Sequence, residues 1–346
     1  MHLDVVAQRS WKQRMLAEAH GLEVSEVRSS SDALGYRYSS KRVARTHGGR
    51  LHLGSFRRGT HQVADMDGCL VDHPDIAAAA RDVGAVASFL GIEAWDERKR
   101  TGDLRYVWLK TDGNGAVLVT LITASETSRA RELAEALPDL AGVAWCVQAS
   151  DGNAIRGEDI VILRGRASLE VELAGVRVEV GPLGFLQPNP RVAELAYSHL
   201  CASPVPPLVF DLYAGAGVTT ELLRRAGVRV LACEAYPESA ARLGIAAETA
   251  EAFLARSAAD GLVPGLVVAN PPRAGLGSEV CGALVRLAAA GLAELRIMSC
   301  GPAGLRSDID RLAPAFELSS LRAYDTLPHT PHVELVATLH ARRGSR

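Results

Sequence analysis

The sequence predicts an α/β protein in two parts: a doubly wound, mainly parallel sheet over residues 181–346, preceded by a smaller α+β domain over residues 1–180. Three observations carry this. From residue 208 onward apolar strands alternate with helices, the pattern of a parallel sheet covered on both faces. Before residue 180, strands follow one another through short turns, as in antiparallel pairing. The length of 346 residues suits two domains, at about 100–200 residues each.

Taken in order, residues 11–20 (WKQRMLAEAH) have helical spacing. Residues 35–43 (GYRYSSKRV) and 50–56 (RLHLGSF) alternate as strands, with the turn Thr46-His47-Gly48-Gly49 between them. Pro74 opens a helix over 74–91. Strands at 104–110 and 116–122 flank Thr111-Asp112-Gly113-Asn114-Gly115, a hairpin turn because Asp, Asn and Gly accept the left-handed backbone such turns need. A helix over 126–137 and strands at 144–148 and 159–163 complete the first part, and residues 181–189 join it to the second. Ser203-Pro204-Val205-Pro206-Pro207 is a stiff lead-in to the strand at 208–214. Then come a helix at 218–226, a strand at 228–235, a helix at 238–245, a strand at 266–272, a helix at 278–292, a strand at 295–300 and a helix at 303–312, with a final strand beginning at Glu334.

Composition excludes several classes. Apolar residues make up 48% and charged residues 23%, which rules out a disordered or fibrous chain. No run of 18 apolar residues occurs, so no helical membrane span is expected. MHLDVVAQRS lacks the apolar centre of a signal peptide, and the expected location is cytoplasmic. Cys69, Cys146, Cys201, Cys233, Cys281 and Cys300 form no CxxC pair and read as free thiols, not as disulfides or a zinc site. Between Ala33 and Ala64 there is no acid, while Arg37, Lys41, Arg42, Arg45, Arg50, Arg57 and Arg58 stand there with three histidines. Such a run is either a solvated strand face or the footprint of a polyanion, with Tyr36, Tyr38 and Phe56 available to stack on bases.

VFDLYAGAGVTTELL places Gly215 and Gly217 directly after an apolar strand and before a helix. Glycines there let the backbone turn sharply and approach a ligand, and an acid about 20 residues on can accept ribose hydroxyls. Glu234, at the end of the next strand, fits that role. Thr220 stands where a dinucleotide fingerprint has its third Gly, and the site lies behind a separate N-terminal domain. Both points favour S-adenosylmethionine over NAD.

Two further strand ends carry chemistry. Asn270-Pro271-Pro272-Arg273 follows the third parallel strand, on the side where open sheets bind ligands. The prolines either aim their neighbours into the crevice or simply stiffen a turn. Ser299-Cys300-Gly301-Pro302 follows the fourth. Cys300 is placed to act as a nucleophile, or else is a small buried hydrophobe, the role assigned to the other five cysteines. Glu334 begins the last strand, with His329 and His332 shortly before it. No acid or Cys stands near them at metal spacing, so no metal is expected.

Together these segments resemble the RNA 5-methyluridine (uracil-C5) methyltransferase family. FLQPNP (185–190), DLYAGAG (211–217), NPPRAG (270–275), MSCGPAGL (298–305) and LPHTPHVE (327–334) occur in the family's order and nearly its spacing. WKQR (11–14) and GYRYSSKRV (35–43) resemble its central domain. Asn270, where many members have Asp, places the resemblance nearest the branch that modifies 23S rRNA and lacks a TRAM domain. The resemblance implies a Rossmann-like S-adenosylmethionine methyltransferase domain over 181–346 and an RNA-binding central domain over 1–180. It implies methylation of uridine C5 in structured RNA, rRNA before tRNA, with the target base looped or flipped out. Cys300 would add to C6 and Glu334 would take the C5 proton. Gln187, Tyr213, Glu234 and Asn270 would contact the cofactor beside Gly215 and Gly217. Arg273 would face the RNA, as would Arg37, Lys41 and Arg42 from the basic run. No membrane and no obligate protein partner is implied.

The chain departs from the family pattern in four places. Only Cys69 stands at the position of one of the four Cys that hold an iron–sulfur cluster in many members, so no cluster is expected. Val218 replaces a cofactor-contacting Asn. The stretch 235–253 is shortened, with Thr249 near the place of the usual acid. Gly301 replaces a frequent Asn. Two rivals follow. An amino-group methyltransferase would use the Asn-Pro-Pro loop, but Arg273 stands where its aromatic should stack and Cys300 would have no role. A non-catalytic RNA-binding protein on a decayed scaffold would explain the departures, but not the retention of both Cys300 and Glu334.

Overall fold

Asp4 starts the first helix, its side chain accepting the Ala7 N–H at 2.8 Å. This helix, α1 (Val5–His20), ends where Gly21 turns left-handed at φ 62°, and the short strand β1 (Val27–Arg28) follows. The computed structural model describes residues 4–30, 32–57, 59–150 and 157–342, excepting the side chain of Glu158; Arg58 of the basic run lies outside them. The chain divides into two compact units, and not at a single cut near residue 180. One comprises Met1–Ala33, Glu172–Val178 and Asn189–Arg346; the other comprises Leu34–Val171 and Glu179–Pro188. The described residues up to Ala33, WKQR included, therefore belong with the C-terminal half.

The middle unit contains β2 (Ser39–His47), β3 (Arg50–Phe56), β4 (Val63–Asp65), α2 (Pro74–Phe89), β5 (Leu104–Thr111), β6 (Val117–Thr123), α3 (Ala130–Ala136), β7 (Gly142–Val147) and β8 (Glu158–Gly165). Its sheet runs β4-β3-β2-β5-β6-β7-β8, antiparallel except between β6 and β7, which α3 connects. Ile76, Ala79, Val83 and Ala87 form the buried stripe of α2, at the spacing of a helix laid on a sheet. Buried Lys110 donates to the carbonyls of Gly181 (2.7 Å) and Pro182 (2.5 Å), which holds the returning segment 179–188 to this unit. β9 (Leu169–Leu173) and β10 (Val176–Val180) form a two-stranded sheet.

The C-terminal half continues with α4 (Pro190–Leu200), β11 (Leu208–Leu212), α5 (Val218–Arg225), β12 (Arg229–Cys233), α6 (Pro237–Arg242), α7 (Ala250–Ala259), β13 (Leu266–Ala269), α8 (Gly277–Ala290), β14 (Glu294–Ser299), α9 (Pro302–Leu312), β15 (Phe316–Tyr324) and β16 (Glu334–Ala341). The sheet order is β1-β15-β16-β14-β13-β11-β12. β11, β12, β13 and β14 are parallel, β16 runs against both of its neighbours, and β1 joins β15 in parallel. This is the doubly wound, mainly parallel α/β sheet expected. Every residue of β13 is buried, as befits a strand covered on both faces. Reversal of β16 has a consequence for chemistry: its first residue lies on the sheet edge where the parallel strands end. Among the described residues no helix is long and apolar enough to cross a membrane.

Candidate active site

Strand register assembles the site. Leu212 pairs with Cys233 on one side and with Ala269 on the other, so Tyr213, Glu234 and Asn270 each stand one residue beyond three adjacent strand ends. Across β14 and β16, Ser299 pairs with Leu335. In an antiparallel pair the next step outward brings Cys300 opposite Glu334. On its other side Glu334 pairs with Tyr324.

Glu334 is 6% exposed, and burial pushes its carboxyl up to about 8, against the opposing pull of the Arg273 cation. Cys300 is half-buried. Burial pushes its thiol up and the Glu334 charge adds to this, while a hydrogen bond and the positive charge from Arg273 act the other way. Cys300, Glu334 and Arg273 thus form one electrostatic group. It offers a thiol, a carboxyl held neutral at neutral pH, and an exposed guanidinium that stabilises thiolate and carboxylate alike.

Glycines let the two loops nest. A Cβ on Gly301 would lie 2.2 Å from the Arg273 carbonyl oxygen, and one on Gly304 would lie 2.7 Å from the same atom. The loop after Cys300 is therefore seated directly on the backbone of the Asn270–Arg273 loop. Gly275, at φ 91°, faces the carboxylate of buried Asp308, which accepts the Leu276 N–H at 2.7 Å and so anchors the start of α8. The Gly301 departure thus has a steric cause in this chain. Gly301→Ala is expected to displace Arg273 from Cys300 and slow a reaction at the Cys300 thiol about 100-fold. Single-turnover kinetics beside a thermal melt would check this, and an unchanged rate would refute the seating.

On the cofactor side, Tyr213 (φ 60°), Gly215 (φ 58°) and Gly217 (φ 87°) form a sharp left-handed turn. Glu234 spans it, accepting the Gly215 N–H at 2.8 Å and the Tyr236 N–H at 2.7 Å. That fixes the carboxylate plane while leaving lone pairs for hydroxyls. A Cβ on Gly215 would meet nothing nearer than 4.0 Å, so there is room above the turn for a ligand. Both features fit a nucleoside cofactor.

Gly217 is buried and stands at φ 87°, so the turn itself requires glycine there, and Leu243 Cδ2 packs 2.4 Å from where a Cβ would lie. Thr220 also has a role beyond not being glycine. Thr219 and Thr220 hydroxyls donate to buried Asp211 at 2.7 and 2.5 Å, tying the turn to β11. Burial still raises the Asp211 carboxyl to about 6. Val218 is buried. Thr249 caps α7 by accepting the Ala252 N–H at 3.3 Å, so its hydroxyl is engaged.

The basic run requires a correction. Arg42 was expected on the RNA, but it is 1% exposed and its guanidinium is ion-paired with Asp72 and bonded to the Ser40 hydroxyl at 2.9 Å. Alternation along β2 points Ser40, Arg42 and Ala44 inward, and a buried Arg needs a buried acid. Arg37 is half-buried, 3.7 Å from the same carboxylate. Lys41, on the other face of β2, is exposed and lies 4.0 Å over the Trp108 ring. Gln187 belongs to the middle unit and is buried. Cys146, Cys233 and Cys281 are buried and Cys69 and Cys201 half-buried, the Cys201 thiol being pushed up to about 12 by burial. Among the described residues no three His, Cys, Asp or Glu are grouped as a metal ion would need.

Comparison with known proteins decides the family. A protein of Nitratidesulfovibrio vulgaris named as an uncharacterised RNA methyltransferase is 30% identical, over 84% of this chain and 67% of its own. A Geobacter sulfurreducens protein so named is also 30% identical, over 96% and 71%. A 23S rRNA (uracil(747)-C(5))-methyltransferase of Halothiobacillus neapolitanus is 29% identical, over 80% and 78%. The chain belongs to the family of RNA methyltransferases that these relatives represent. No family model matches it. The crystal structure of Pyrococcus abyssi tRNA (uracil-54, C5)-methyltransferase with S-adenosyl-L-homocysteine shares the fold, with a TM-score of 0.77 at 22% identity over 98% of this chain and 84% of that one. As a member of this family the protein is an S-adenosylmethionine-dependent RNA methyltransferase, and the Rossmann-like α/β fold expected from the sequence is the one observed. Missed in the sequence were the Asp211 and Asp308 anchors. Each is a lone acid whose partners become visible only once helix and loop are brought together.

Proposed function

We propose that the protein methylates C5 of a uridine in structured RNA through a covalent adduct on Cys300. The adjacency of Cys300 and Glu334, set by the β14–β16 register, carries the reading. Uracil C5 is too weak a nucleophile to take a methyl group unaided. The Cys300 thiolate, favoured by Arg273, adds to C6, and the C5=C6 electrons move toward O4, leaving density at C5. The cofactor, when bound, supplies the electrophilic methyl group that C5 takes up. Glu334 as carboxylate then removes the C5 proton, the double bond re-forms, and the S–C6 bond breaks to release Cys300. Tyr213, Gly215, Glu234 and Asn270 would hold the cofactor at the strand ends.

RNA would be held by Arg273 and by the exposed cations of the middle unit, Lys41, Arg45 and Arg50, with half-buried Arg37 as a lesser contributor. Ribosomal RNA is favoured over transfer RNA because the relative named for 23S rRNA is 29% identical, against 22% for the protein named for tRNA uracil-54. The absence of an aromatic at Arg273 speaks against amino-group transfer. The decisive test is 5-fluorouridine-containing RNA with S-adenosylmethionine. Fluorine cannot leave C5 as a proton does, so an SDS-stable enzyme–RNA complex through Cys300 is expected. No complex, from 23S rRNA fragments or from tRNA transcripts, would defeat the covalent reading.

A further inference from the structure

α1 carries polar residues in its buried stripe. Gln8 and Lys12, one turn apart, are both 0% exposed. A buried cation is costly unless its partners are worth the burial, so what Lys12 holds matters. Its Nζ donates to Asp325 Oδ1 at 2.5 Å, to the Leu327 carbonyl at 3.1 Å and to the His332 carbonyl at 2.9 Å. Gln8 Oε1 accepts the His329 N–H at 2.7 Å, and its Nε2 lies 3.0 Å from His329 Nδ1. His329 is itself held at φ 65°, a backbone conformation that non-glycine residues rarely keep without support. Every one of these partners lies between Tyr324 and Glu334, which pair with each other and so close the loop 325–333. Lys12 grips both of its ends and Gln8 its tip. Glu334 follows directly from this loop.

We propose that Gln8 and Lys12 are positioning residues that set the Glu334 carboxyl against the C5 proton. The inference rests on the covalent mechanism above and extends it to one step. If the loop is released, Cys300 still adds and C5 still accepts the methyl group, but proton removal lags. Ordinary uridine RNA should then pile up as a methylated covalent complex, which a merely destabilised enzyme would not produce.

The test compares wild type with Lys12→Met and Gln8→Met on unsubstituted RNA, following product and SDS-stable complex together. Resolution of the complex is expected to slow about 10- to 100-fold, with kcat falling and KM for RNA nearly unchanged. Gln8→Met removes no charge and decides the matter where Lys12→Met fails to fold. Failure of wild type to trap fluorouridine RNA overturns the mechanism itself. Trapping by wild type, with variants that turn over without accumulating complex or that lose adduct formation and turnover in equal measure, overturns the positioning role alone.

Discussion

Cys300→Ala is expected to lower methyl transfer by about 10⁴-fold or more while leaving RNA affinity nearly unchanged. The size follows from the chemistry. Without a nucleophile on C6, C5 keeps the weak reactivity of a neutral uracil, and better orientation cannot make up the loss. No other thiol stands opposite Glu334: Cys146, Cys233 and Cys281 are buried, Cys201 is held to about 12 by burial, and Cys69 belongs to the other compact unit. RNA affinity should persist because the exposed cations that would meet phosphate, Lys41, Arg45 and Arg50, belong to the other compact unit. Cys300→Ser should fare little better, since a hydroxyl beside Arg273 remains far from ionised at neutral pH. Filter binding and tritium release from 5-tritiated RNA measure the two quantities separately. Full turnover in the alanine variant would end the covalent mechanism.

How much of this was legible in the sequence depended on whether a residue's partner was local. The parallel strands were readable because each is an apolar run ending in a chemically distinct turn, as at Asp211–Gly217 and Asn270–Arg273. Their register then followed from packing. α1 was only half readable, over 11–20 rather than Val5–His20, because its buried stripe of Gln8, Lys12 and Leu16 has no apolar periodicity. For the same reason nothing local showed that it packs with the C-terminal half. β1 has two residues and carries no pattern at all. Arg42 looked like surface charge because its partner, Asp72, stands 30 residues away. Glu334 alone would have passed for a solvated acid; only the resemblance singled it out, and the reversal of β16 shows why a strand's first residue stands beside another strand's last.

Glu334→Gln should stop turnover yet make the protein more stable, and the two effects share one cause. The carboxyl titrates at about 8 in the folded chain against an ordinary 4.5. A group whose pKa is raised on folding contributes its stability fully below the unfolded value, and that contribution is lost as pH rises through the folded value. Wild type therefore weakens between about pH 4.5 and 8 from this group, by an amount on the order of a few kcal/mol if burial is complete. Glutamine does not ionise, so the melting temperature of the variant should pull ahead of wild type by several degrees as pH climbs, with the gap levelling off above 8. In catalysis the sign is opposite. Glu334 must be a carboxylate to take the C5 proton, so resolution of the wild-type complex should quicken with pH toward a plateau above 8. Glutamine can take no proton, and the variant should hold methylated RNA as an SDS-stable complex at every pH. A variant that releases methylated product freely would remove Glu334 from the role of base. A variant with no stability gain at pH 8.5 would mean that the carboxyl is solvated, and the neutral resting state drawn from its burial would fail with it.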